Sequence, residues 1–87
     1  MCEGDLEKVT IRLPNSKMDA IIDRFGTDVF ITKQGRTHFT TTVQVTVNQQ
    51  FFGWIFGLGD DIEIVSPANV REQMMAALSS IIKKYNP

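Results

Sequence analysis

Phe39-Thr40-Thr41-Thr42-Val43-Gln44-Val45-Thr46-Val47 sorts its side chains into two alternating sets. Phe39, Thr41, Val43, Val45 and Val47 share one face, while Thr40, Thr42, Gln44 and Thr46 share the other. A period of two is that of a strand with one buried face. The density of β-branched residues suits a pleated surface and works against a helix. Immediately upstream, residues 28–33 hold Val29, Phe30 and Ile31, and Gln34-Gly35 supplies a turn with glycine where positive φ is needed. The two runs therefore read as a hairpin.

Working outward toward the N-terminus, Met18, Ile21, Ile22 and Phe25 fall at i, i+3, i+4 and i+7, one stripe of an amphipathic helix. Asn15 or Ser16 is expected to cap it, with Asp19 three residues after Ser16 in a capping-box arrangement. Gly26 closes it. Before this helix, Val9, Ile11 and Leu13 alternate with Thr10 and Arg12, a second half-buried strand stopped by Pro14. The polar residues 1–5 carry no period and read as a frayed end or the edge of a cut piece.

On the C-terminal side, Asn48 is a candidate cap for a helix over 49–58 carrying Phe51, Phe52, Trp54, Ile55, Phe56 and Leu58. It is apolar nearly all round, so burial on more than one side is expected. Gly53 and Gly57 lie one turn apart and cost roughly 1 kcal/mol each against alanine; close approach of another backbone is their expected use. Gly59 and Asp60-Asp61 lead into a short strand over 62–65. Ser66-Pro67 then reads as an N-cap followed by proline at the first helical position. The last helix aligns Val70, Met74, Ala77, Leu78, Ile81, Ile82 and Tyr85, with Lys83 and Lys84 complementing the dipole of its final turn.

The order β-α-β-β-α-β plus one helix is that of an α+β, ferredoxin-like domain, with two helices on one face of an antiparallel four-stranded sheet. The third helix must cover its stripe on this domain or on a neighbour. No internal repeat or low-complexity segment interrupts the pattern.

Eighty-seven residues with 43% hydrophobic content, including six Phe, one Trp and one Tyr, suffice for one domain. Nine basic against ten acidic side chains give a net charge of −1. The Lys and Arg residues are scattered from Lys8 to Lys84, so this chain is not expected to grip DNA by itself. The single Cys2 excludes an internal disulfide and suggests no metal site. No signal-like N-terminus and no run of about 18 apolar residues is present, and a soluble cytoplasmic protein without membrane partners is expected.

Chemistry is sparse. His38 lacks an adjacent nucleophile or orienting carboxylate in sequence and reads as a solvated surface histidine. Asp60 and Asp61 read as solvated turn carboxylates. Gly57-Leu58-Gly59 follows a helix and lacks the Lys-Ser/Thr of a phosphate loop. The aromatics 51–56 are helical and uncharged, so packing is favoured over base stacking. Met74-Met75 with Tyr85 reads as core or packing surface. Neither a catalytic residue nor a cofactor is expected. Arginines remain as candidates for a ligand or an interface. Arg12 lies on the polar face of the first strand, Arg36 just past the hairpin turn, and Arg71 in the first turn of the last helix. A cation there opposes the helix dipole, which points to an anionic partner.

The stretch Trp54-Ile55-Phe56-Gly57-Leu58-Gly59, then Ile62-Glu63-Ile64-Val65-Ser66-Pro67, then Val70-Arg71 and finally Tyr85 resembles the extension (WCX domain) that follows the WYL domain in DeoR-like bacterial transcription regulators. Val9-Thr10-Ile11-Arg12-Leu13 resembles the opening strand of that extension, with Arg12 at its usual basic position. The likeness covers nearly the whole chain, with residues 25–34 fitting less well. It implies that residues 6–87 form one regulatory and dimerisation domain of a larger regulator. Such a parent would carry an N-terminal winged helix-turn-helix and a ligand-sensing WYL domain, neither of whose motifs occurs in these residues. The partners it implies are those two domains and a second copy. Two alternatives remain at this point. One is a stand-alone module of the ACT type, although Pro14-Asn15-Ser16 stands where such a module has a glycine-containing loop. The other, less favoured, is a small α+β hydrolase or isomerase.

Overall fold

The computed structural model describes residues 6–86; the expected frayed end at 1–5 lies outside them. The chain runs β1 (Leu6–Pro14), a 3-10 turn (Asn15–Lys17), α1 (Met18–Phe25), β2 (Phe30–Gln34), β3 (His38–Thr46), α2 (Gln49–Gly57), β4 (Glu63–Ser66) and α3 (Ala68–Tyr85). The four strands form one sheet in the order β2-β3-β1-β4, with every neighbour antiparallel. This is the α+β, ferredoxin-like arrangement with an added C-terminal helix that the element order implied.

The alternation in β1 and β3 sets the two faces. Val9 faces Val43, Ile11 faces Thr41 and Leu13 faces Phe39 across the central ladder, and all six are buried. Val45, Val47 and, from β4, Ile64 extend this buried set, and Ile21 of α1, Phe51 and Ile55 of α2 and Val70 of α3 pack against it to complete the core. Burying each such side chain stabilises the fold by about 1.5–3 kcal/mol. Thr41 sits among these apolar residues because its hydroxyl donates to the Phe30 carbonyl at 2.9 Å, so its burial leaves no polar group unpaired. On the opposite face the registered pair Thr10 and Thr42 joins its hydroxyls at 2.8 Å.

Several local expectations hold. The Asn48 side chain accepts a bond from the Phe51 amide at 2.9 Å, capping α2. Gly35 takes φ +71° in the hairpin turn, a conformation that favours glycine.

Others are corrected. Neither Asn15 nor Ser16 caps α1, whose N-cap is Lys17 with no side-chain bond. The Asn15 amide group instead donates to the Arg36 carbonyl at 2.9 Å, and its backbone N–H donates to Thr37 O at 2.8 Å. This pins the 3-10 turn to the hairpin and takes the side chain away from capping. Ser66 is not an N-cap either. It remains in β4, paired with Thr10, and Pro67 becomes the cap residue of a helix that begins at Ala68. Strand pairing captures the serine.

The α2 helix is not covered on all sides. Phe51 and Ile55 are buried, Phe52 and Trp54 half-buried, and Phe56 is exposed. A Cβ at Gly53 or Gly57 would meet nothing within 4 Å, so the expected close approach of another backbone does not occur among the described residues.

The α3 helix divides its stripe. Val70 is fully buried and Met74 packs on the core, while Ala77 and Leu78 are half-buried. From residue 79 to residue 86 every residue is exposed.

Candidate functional site

Arg12 occupies an even-numbered position of β1 and so lies on the face opposite the core. Strand pairing sets it across from Glu63 of β4. The chain reverses after β4, which carries the first turn of α3 back beside that strand. Arg71 thereby meets the same carboxylate. Arg12 Nη1 lies 4.0 Å from Glu63 Oε1, and Arg71 Nη1 lies 3.1 Å from Glu63 Oε2. The Arg71 Nη1 also donates to the Ile64 carbonyl at 2.6 Å.

The anionic partner that position 71 called for is thus Glu63 of the same chain. Two guanidinium groups share one carboxylate, leaving an excess of one positive charge in the trio. All three side chains are partly open to water, so each pair contributes about 1 kcal/mol at most. The Arg12 guanidinium makes no hydrogen bond among the described residues, which leaves its planar set of donors for a further acceptor.

Beside this trio lies an apolar groove of about 340 Å³ between α2, β4 and α3. Ile55, Phe56, Ile62, Ile64, Met74 and Leu78 line it, together with Glu63 and Arg71. The arrangement offers charge-assisted hydrogen bonds next to apolar area, the two ingredients of a binding surface. Arg36 does not join it. It stays exposed at the hairpin turn, where its backbone carbonyl serves Asn15.

His38 is not the solvated histidine expected. Its side chain is 15% exposed, with Nε2 3.0 Å from Asp61 Oδ2 and Nδ1 2.7 Å from the Thr37 hydroxyl. The pair fastens the start of β3 to the loop between α2 and β4. Asp61 is correspondingly engaged, while Asp60 lies along the groove. A further feature absent from the sequence reading is Arg24, whose guanidinium carbon stands 4.8 Å from the Trp54 ring centroid. Phe25 meets the same indole edge-on at 5.6 Å. The indole is thus held between α1 and α2 by a cation and an aromatic edge.

Several exposed apolar side chains lie along α3 and the adjoining part of α2. Phe56 is 72% exposed, Met75 66%, Ile82 56% and Tyr85 85%. Among the described residues no helix is long and apolar enough to cross a membrane.

The model of the WCX domain family matches residues 5–82, from the start of β1 into the last turns of α3. Neither the curated proteins nor the solved structures give a match.

Proposed function

We propose that this chain, which belongs to the WCX domain family, is a non-enzymatic C-terminal regulatory domain of a WYL-type, DeoR-like bacterial transcription regulator. It joins two copies of the regulator and relays the effector state of a WYL domain to an N-terminal helix-turn-helix, in the cytoplasm. The observation that carries this reading is the apolar face of α3. Most of it lies within the family-matched segment, which ends at residue 82, yet every residue from 79 to 86 is exposed. A net charge of −1 with no basic stripe leaves DNA contact to the rest of the parent protein.

Within this role Arg12 and Arg71 supply the polar contact. Their shared carboxylate can be exchanged for an anionic effector or for a carboxylate on the WYL domain, with Glu63 as the resident competitor. Such an exchange couples β4 and α3 to whatever the arginines hold.

Two measurements test the reading. Sedimentation equilibrium of the 87-residue chain should show a concentration-dependent dimer; a monomer up to millimolar concentration removes the dimerisation role. In the intact gene product, the double substitution Arg12→Ala, Arg71→Ala should shift the effector concentration at which operator binding responds. An unshifted response in a folded protein would dismiss both arginines from the relay.

A further inference from the structure

The α3 helix carries more apolar surface than its own domain uses. Val70 and Met74 face the core, but Met75, Leu78, Ile82 and Tyr85 form a second line spaced by three, four and three residues. That spacing is the 3.5-residue repeat of a helix–helix seam. It reads the same from either end, so an antiparallel copy meets it layer for layer. Between Glu72 and Lys83 there is no charged residue, which is foreign to a helix face meant for water. Lys83 and Lys84 follow Ile82 by about 100° and 200° around the helix and so flank the seam without entering it. Ile81, itself 54% exposed, broadens the line. On α2, Phe56 stands on the rim of the groove, and Gly53 and Gly57 present a helix surface with no Cβ obstruction.

We propose that α3 pairs antiparallel with α3 of a second copy, distal half against distal half about a two-fold axis. Leu78 then meets the partner's Ile82, and Met75 meets the partner's Tyr85 beside the groove that Phe56 borders. The proposal rests on the dimerisation reading above and specifies its surface. The contact is isologous: the stripe left open on each copy fills the opening left by the other, so the assembly closes at two. The apolar surface available on Phe56, Met75, Leu78, Ile81, Ile82 and Tyr85 is on the order of 600 Å² per chain; burial of all of it on both copies would reach only the lower bound of stable interfaces, so the pair is expected to be weak and concentration-dependent.

The test combines association with register. Sedimentation equilibrium of the whole chain should give a dimer, and Ile82→Lys should weaken association at least about thirtyfold while leaving the circular dichroism spectrum and Tm of the dilute chain unchanged. In a Cys2→Ser background, Leu78→Cys and Ile82→Cys chains mixed and oxidised should form the mixed disulfide in clear excess over either homodimeric one. Efficient homodimeric linkage by each variant alone would mean a parallel pairing and overturn the proposal. A dimer indifferent to Ile82→Lys would overturn this surface and leave dimerisation standing, whereas a monomer at every concentration would overturn both.

Discussion

Val70→Ala separates the half of α3 that belongs to the domain from the half that does not. Val70 is the only residue of α3 that is fully buried. Its truncation removes two buried methyl groups, about 1.6 kcal/mol of transfer free energy at roughly 0.8 kcal/mol per group. The residual cavity adds up to about 1 kcal/mol where neighbours do not relax. The expected loss is therefore about 2 kcal/mol. That is a large share of the roughly 4–13 kcal/mol available to a chain of this length, and it corresponds to a Tm lowered by roughly 8–16 °C. The companion substitution Ile82→Ala removes more carbon from a side chain that is 56% exposed. In solution dilute enough to keep the chain monomeric, it should cost less than about 0.5 kcal/mol. Urea unfolding of both variants, followed by circular dichroism at micromolar chain concentration, reads the difference directly. Equal losses for the two, or a loss below about 0.5 kcal/mol for Val70→Ala, would refute the division of α3 drawn from its burial.

Substitutions at three further positions probe the parts around it. Asn48→Ala should cost about 1 kcal/mol through loss of the Phe51 cap bond, and Asn48→Ser should recover most of it, as judged by Tm. Gly57→Ala should raise the stability of the dilute chain by up to about 1 kcal/mol, because its Cβ meets nothing and alanine is the better helix former; a lower Tm would show a packing demand on that face. Glu63→Gln should change global stability by no more than about 1 kcal/mol, since its partners are half-exposed. Its effect should be read instead as tighter binding of anions at Arg12 and Arg71 by calorimetry, and unchanged anion affinity would argue against an exchangeable carboxylate there.

The architecture was legible because it depends on periodicity. The alternation in Val9–Leu13 and Phe39–Val47 names the buried face of each strand, and the order of elements then leaves few sheet topologies open. The convergence of Arg12 and Arg71 on Glu63 was half legible. Glu63 alternates with buried Ile64 and so shares the face of Arg12, but its approach to Arg71 depends on how tightly the chain turns at Pro67. The capture of Ser66 by Thr10 was hidden for the same reason: cap preference is local, whereas a ladder bond comes from a strand far away in sequence. His38 and Asp61 are separated by 23 residues and joined by loop geometry alone, which no local pattern encodes. The glycines of α2 were legible as costly to a helix but not as to where the compensation lies, because nothing among the described residues approaches them.

Hydrogen exchange along α3 as a function of chain concentration addresses the central claim most directly. Amides of residues 79–85 should exchange quickly at micromolar concentration and slow by at least about tenfold as the dimer fills, while amides around Val70 change little. Exchange in the distal half that is already slow in dilute solution, or that stays fast at millimolar concentration, would contradict a helix whose outer half is kept for a second copy.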